Sequence, residues 1–164
     1  MVPVLLLLLL TAGCAQYRLG SMLPADIRTV YMPTCVNKTT EPLIEQDVTR
    51  AILSQIQTDG SLRIATADTA DTLLEVTLTK FWLDPVSYQT DESSTANQYR
   101  MSIRASFVLY RRADHSVVAE SPSLTGWYDI DFSGDMTSSK NVGLRPAAED
   151  LGRRIVNQIV QFWP

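Results

Sequence analysis

Two arginines, Arg100 and Arg104, stand two residues either side of Ser102 in a segment that alternates apolar and polar residues. Because successive side chains of a β-strand point to opposite faces, both guanidinium groups should project from one face. Guanidinium groups bind phosphate and carboxylate through paired hydrogen bonds, so this face is a candidate anion-binding surface. Arginines at alternate positions are also common on strand faces that are merely solvated, and the pattern leaves that interpretation open. The same face of the preceding predicted strand is expected to carry Thr77, Thr79 and Phe81.

The overall charge argues against nucleic acid as a partner. The chain has 14 Lys and Arg against 18 Asp and Glu, which gives a net charge of -4. Proteins that gather nucleic acid carry a broad positive field, which this composition does not supply. Any anionic ligand must therefore be bound by a local group of cationic side chains.

Residue types that support catalysis are scarce in this sequence. The single histidine, His115, follows Asp114 in a predicted turn, where a solvated position is the ordinary explanation. One histidine and Cys35, which we expect to be a buried thiol, cannot form a zinc site of standard spacing. The sequence contains neither a Gly-x-Ser-x-Gly elbow nor a glycine-rich phosphate loop. We expect no enzymatic activity, no metal and no cofactor other than a covalent lipid.

That lipid is suggested by the N-terminus. Residues 2–10 form an apolar run ending in six leucines, which is too short for a bilayer span of about 20 residues and typical of a signal-peptide core. The run continues into LTAGC, which resembles the lipobox of bacterial lipoproteins and implies cleavage after Gly13. The same resemblance implies a lipid with palmitate-type acyl chains on Cys14, and two or three such chains anchor a protein stably. Ala15, where Asp would retain the protein in the inner membrane, implies the outer membrane.

The segments that must position these residues alternate between helical and strand patterns. Apolar residues at helical spacing predict helices over 42–59 and 146–163, and residues 87–97 and 133–143 are predicted loops. Strand patterns fall on 27–32, 62–65, 70–83, 99–111, 117–120 and 124–132. The clean alternation in residues 99–111 predicts an antiparallel sheet with one covered face. The predicted fold class is α+β, with two helices packed on one face of a four- to five-stranded mixed, mainly antiparallel sheet.

Length and pattern together predict one domain. About 150 residues remain after removal of a leader, which suits one hydrophobic core. We assign residues 1–13 to a lipoprotein signal peptide, and residues 14–24 to the lipidated Cys14 and a short tether. Residues 25–164 are predicted to form a single α/β domain.

Short sequence motifs extend along nearly the whole mature chain. They are Gly13-Cys14 with YRLG at 17–20, IRTVYMP at 27–33, NKT at 37–39, EPLIEQDVTRA at 41–51, DGSLRI at 59–64, ADTLL at 70–74, and Asp150-Leu151 with Ile155-Val156. In these stretches the chain resembles the lipopolysaccharide-assembly lipoprotein family, LptE.

The resemblance implies a lipoprotein held through Cys14 at the periplasmic face of the outer membrane. It also implies two partners: a large outer-membrane β-barrel, inside which the protein would sit as a plug, and the lipopolysaccharide that this barrel delivers to the outer leaflet. Lipopolysaccharide carries phosphates and acyl chains, which call for cationic groups beside apolar ones. We therefore expect Arg100 and Arg104 to contact lipopolysaccharide, and glutamate at both positions to weaken binding without unfolding the protein.

A second function remains open at this point. Periplasmic lipoproteins that activate a peptidoglycan synthase also join an anchored cysteine to a small α/β domain with an Asn-x-Thr loop. Those activators tend to have a long disordered tether, whereas the first strand here is predicted only about a dozen residues after Cys14, which favours a domain held close to the membrane.

Overall fold

A computed structural model describes residues 23–24, 26–88, 96–131 and 135–161. The elements in chain order are β1 (Thr29–Tyr31), β2 (Val36–Asn37), α1 (Ile44–Asp59), β3 (Arg63–Ile64), β4 (Thr72–Tyr88), β5 (Ala96–Arg111), β6 (Val117–Asp131) and α2 (Met136–Gln161). The predicted signal peptide, Cys14 and nearly all of the predicted tether lie outside the described residues, as do residues 89–95 of the predicted polar loop.

The strands form one mixed sheet with the order β3-β1-β4-β5-β6, and β2 pairs with β4 beyond the end of β1. The short strands β1, β2 and β3 pair in parallel, whereas the long strands β4, β5 and β6 pair antiparallel. Both helices pack on one face, where their apolar residues meet those of the sheet in a single core. The α+β fold class predicted from the sequence is confirmed.

Helix α1 matches its predicted apolar stripe, in which Ala51 is partly buried and the other four residues are fully buried: Ile44, Val48, Ile52 and Ile56. The helix begins at Ile44 rather than at Pro42. It ends at Asp59, and the following Gly60 has φ 75° and donates its backbone N–H to the Ile56 carbonyl, as expected for a helix C-terminus.

Helix α2 begins ten residues earlier than the sequence pattern indicated. Pro146, predicted to open this helix, lies inside it, and most of the predicted 133–143 loop is helical. Asp135 caps the true start, because its Oδ1 accepts the backbone N–H groups of Thr137 at 2.7 Å and Ser138 at 3.1 Å. The first turns are held against the sheet by small residues, Ser139 and Gly143, both buried. Their low hydrophobicity is the reason that the apolar pattern did not reveal them.

Strand β6 joins the two predicted strands 117–120 and 124–132 into one. The register slips here, since Ala105 pairs with Leu124 while Phe107 pairs with Ser121. This bulge accommodates Pro122, which has no N–H to give to a regular ladder.

A second bulge, at Thr79 in β4, changes which side chains share a face. Leu78 pairs with Ala105, but Lys80 pairs with Arg104, so Thr79 is the extra residue. Beyond the bulge the alternation is inverted: Phe81 packs against the core on the helix side, while Lys80 and its neighbour Trp82 turn to the other face. The prediction that Phe81 lies on the same face as the arginines was therefore wrong.

Within the described residues, no helix has the length and apolar character required to cross a membrane.

Candidate functional site on the uncovered face of the sheet

The described helices all lie on one side of the sheet, and the opposite side is here called the uncovered face. Three cross-strand rows of residues run across β4, β5 and β6 at the end of the uncovered face that is farthest from β1. The rows are Lys80–Arg104–Thr125, Trp82–Ser102–Trp127 and Asp84–Arg100–Asp129. We call these nine residues the aromatic–cation site.

The middle row is made of two tryptophans with a serine between them. Ser102 is only 3% exposed although no described helix covers this face. The side chains of neighbouring rows must therefore close over it, which makes the site a packed layer of large side chains. Trp127 remains 40% exposed, so the layer offers apolar surface to a ligand.

Arg100 is neutralised by the strand beside it. Its Nε donates to Asp129 Oδ1 at 2.7 Å and its Nη2 donates to Asp129 Oδ2 at 2.8 Å, while the guanidinium stacks 4.1 Å from the centroid of the Trp127 ring. The hydrogen bonds from Arg100 hold the pKa of Asp129 below its usual value. They raise the pKa of Arg100 in turn. Two of this group's donors are thus already satisfied.

Arg104 and Lys80 are in a different electrostatic state. The Arg104 guanidinium lies 5.1 Å and Lys80 Nζ 4.9 Å from the centroid of the Trp82 ring. Arg104 faces Thr125, a neutral residue, with 3.5 Å between Nε and Oγ1. Within the ranges that the structure describes, neither cation forms an ion pair. These two positive charges are available to an anionic ligand.

The arrangement suits binding. Two cations without carboxylate partners lie beside aromatic surface, a combination that can hold a phosphorylated amphipathic molecule. Trp82 is fixed in place because its Nε1 donates to Asp84 Oδ2 at 2.6 Å. Within the described residues no group of three His, Cys, Asp or Glu side chains is placed to hold a metal ion.

The structure brings Arg100 and Arg104 together on the uncovered face, as their spacing indicated, but it divides their roles. Sequence reasoning missed Lys80, Trp82 and Trp127. Lys80 and Trp82 were missed because of the Thr79 bulge: without it, strand alternation would place both side chains on the helix side of the sheet. In β6, Trp127 follows the buried Gly126, and strand alternation from this small residue could have placed Trp127 on the uncovered face.

The two other sequence candidates stay apart from this site. Cys35 is buried, as expected, and burial raises the pKa of its thiol to about 11, although a hydrogen bond with Thr49 opposes the shift. A thiol with this pKa is a poor nucleophile at neutral pH. His115 is exposed in the β5–β6 turn. Cys14 lies outside the described residues.

Several solved structures share the fold. A protein from Xanthomonas campestris matches with a TM-score of 0.58 at 12% identity, covering 87% of this chain and 90% of that one. A minor lipoprotein from Acinetobacter baumannii matches with a TM-score of 0.53 at 10% identity, covering 81% and 92%. A putative lipoprotein from Caulobacter crescentus matches with a TM-score of 0.52 at 11% identity, covering 77% and 88%. At these identities the likeness shows a common fold alone.

The comparison of sequences is more specific. No curated protein matches the chain closely enough to be counted as a relative. The family model for lipopolysaccharide assembly, LptE, matches residues 27–161, which include every described strand and helix. The chain therefore belongs to the LptE family of lipopolysaccharide-assembly lipoproteins.

Proposed function

We propose that this protein is an outer-membrane lipoprotein, anchored through Cys14 at the periplasmic face, that serves as the plug subunit of the lipopolysaccharide-export β-barrel. Its uncovered face contacts lipopolysaccharide during assembly into the outer leaflet. The proposal gives the protein no catalytic role, in keeping with a family of non-catalytic assembly lipoproteins.

The observation that carries the ligand assignment is the pair of unpaired cations, Lys80 and Arg104, on the Trp82 ring. Lipopolysaccharide presents phosphates on a large amphipathic molecule. A phosphate that reaches this site gains charge-assisted hydrogen bonds from two cations that have no carboxylate partner among the described residues. The neighbouring tryptophan surface accepts the less polar parts of the same molecule.

A flat, open surface also fits a transport role. A carrier must release its ligand, and contacts on an open sheet face are made and broken without opening a cavity. Because solvent reaches both the exposed Lys80 and the half-buried Arg104, the affinity of the site should fall as salt rises.

Binding of purified lipopolysaccharide to the full-length protein tests the ligand assignment. Lys80→Glu combined with Arg104→Glu should weaken binding about tenfold or more, because two charge-assisted contacts are replaced by repulsion. The matched control is Arg50→Glu with Arg145→Glu, which changes the net charge equally at helix positions whose side chains are 71% and 81% exposed. We expect this control to bind as the wild type does, and melting temperature checks that both variants fold.

Equal losses in the two double variants would mean that lipopolysaccharide responds only to net charge. No loss in either would remove the aromatic–cation site from ligand binding. Either result contradicts the proposed function of this face.

A further inference from the structure

The opposite end of the uncovered face has a different chemistry. There, one cross-strand row runs over four strands: Tyr31 of β1 pairs with Leu73 of β4, Leu73 with Tyr110 of β5, and Tyr110 with Val117 of β6. We call these four residues the Tyr31 row. Val117 is 52% exposed and the other three are half-buried.

A groove of about 540 Å³ lies along this row, lined by Tyr31, Leu73 and Tyr110 together with Glu75, Arg112 and His115. Its volume is within the range of about 300–1,000 Å³ that is usual for small-molecule sites. The lining is apolar at the row itself, while the exposed side chains of Arg112 and His115 stand on the β5–β6 turn. The groove is therefore apolar along the row, and its lining also includes the exposed charged side chains of Glu75 and Arg112.

The charges between this groove and the aromatic–cation site are negative. The next row along the sheet is Glu75–Val108–Glu120, and both glutamates are exposed. An anionic headgroup is repelled from this row and attracted to Lys80 and Arg104, whereas a hydrocarbon chain carries no charge for the row to repel. The face is thus polarised, with the cationic end separated from the apolar end by an acidic row.

We propose that the groove along the Tyr31 row binds an acyl chain of lipopolysaccharide. This inference rests on the proposed function, because it takes the ligand from it. Leu73 and Trp82 are separated by about 30 Å along β4 at the usual rise of a strand. The two regions are therefore far enough apart to be tested independently.

The first test compares two probes: intact lipopolysaccharide, and the same preparation with its acyl chains removed by alkali. The full-length protein is held in amphipol so that no detergent micelle competes for the acyl chains. Leu73→Gln, which keeps the volume but removes apolar surface, should weaken binding of the intact molecule about tenfold and leave the deacylated one unchanged. The control is Val142→Gln, at an apolar residue of α2 that is 71% exposed and lies outside the groove.

A second measurement does not depend on the stability of a polar variant. Replacement of Tyr110 by the photoreactive p-benzoylphenylalanine keeps an aromatic ring in the groove, and irradiation of living cells should attach lipopolysaccharide at this position. The same residue placed at Val142 should give no adduct. Alkaline hydrolysis of the ester-linked acyl chains should then release the glycan from every adduct in which the new bond was formed to such a chain.

The outcomes separate the two proposals. If intact lipopolysaccharide fails to bind, or is unaffected by Lys80→Glu with Arg104→Glu, the proposed function fails. If it binds through those cations but Leu73→Gln has no effect and Tyr110 gives no adduct, only the acyl-chain inference is overturned. A Leu73→Gln variant that changes the oligomeric state at unchanged lipopolysaccharide affinity would assign the groove to a second copy of the chain, which also overturns it.

Discussion

Arg100 and Arg104 lie on the same face of the same strand, yet their positive charges are not equally available to a ligand. The difference is set by the residue opposite each of them on β6, which is Asp129 for Arg100 and Thr125 for Arg104. A paired charge contributes little to the field that a distant phosphate experiences, whereas an unpaired one contributes fully. The field at this site is therefore dominated by Arg104 and Lys80.

This difference can be tested by replacing the charged side chains with neutral ones. Arg100→Gln combined with Asp129→Asn removes a cation and an anion together, and we expect lipopolysaccharide affinity to fall by less than about threefold. Arg104→Gln removes one unpaired cation and should cost about tenfold. Titration of lipopolysaccharide against both variants measures the contrast, and a larger loss in the double variant would contradict it.

Gly126 is a second residue whose identity is fixed by its surroundings. A Cβ atom at this position would lie 2.4 Å from the Leu151 backbone nitrogen, because α2 crosses β6 here at close range. Gly126→Ala should lower the free energy of unfolding by about 3 kcal/mol or more, since helix and strand must separate. Gly60→Ala is the control: it has φ 75° but nothing within 4 Å, so it should cost only about 1 kcal/mol. Urea denaturation that gives equal losses would show that the close approach does not limit stability.

At the level of elements, sequence patterns were reliable where alternation continued unbroken. On the face of β5 that was predicted to be apolar, Tyr99 is partly buried, and the other five residues are fully buried: Met101, Ile103, Ala105, Phe107 and Leu109. The stripe of α1 was equally clear. Prediction failed where a local irregularity reset the pattern, at the Thr79 bulge and at the small-residue start of α2 before Pro146. Bulges arise from the pairing of two strands, so one strand's sequence does not display them.

The attachment of β1 to β4 depends on one carboxylate. Asp71, next to the start of β4, accepts hydrogen bonds on Oδ2 from the backbone N–H groups of Arg28 and Thr29, at 3.1 and 2.9 Å, and from Thr29 Oγ1 at 2.7 Å. The hydrogen bond from Thr29 is the main cause that lowers the pKa of Asp71, followed by that from the Arg28 backbone. A carboxylate whose pKa is lowered by folding stabilises the protein above its unfolded pKa, near 3.9, and loses this effect as pH falls through the folded value.

Asp71→Asn should therefore cost about 1 kcal/mol at pH 7 and progressively less below about pH 4. The difference between wild type and variant is measured by urea denaturation from pH 6 to pH 3. Asp68→Asn, an exposed carboxylate three residues away, is the matched control and should show no such trend. A wild-type advantage that stays constant across this range would mean that the Asp71 charge does not hold β1 in place.

On the scale of the whole molecule, three features point the same way. The fold places helices on one side of the sheet and leaves the other side with a cationic end, an acidic row and an apolar end. The LptE family match spans this entire domain. The signal peptide and the lipidated Cys14 that the sequence predicts are expected to attach this domain to the membrane. The proposed amphipathic anionic ligand, membrane anchor and plug role are consistent with one another and with membership of a lipopolysaccharide-assembly family.

The alternative of a peptidoglycan-synthase activator shares the anchor and the small α/β domain, so a localisation assay does not separate the two functions. The activator function assigns no role to the cationic and apolar ends of the uncovered face, and the family match does not support it. Partner identity distinguishes the two functions.

The most direct test is therefore to express the full-length chain with an affinity tag in its own host, extract the membranes in mild detergent and identify the copurifying proteins by mass spectrometry. Our account predicts a large outer-membrane β-barrel at near-equal stoichiometry. Recovery of a peptidoglycan synthase without any such barrel would contradict it.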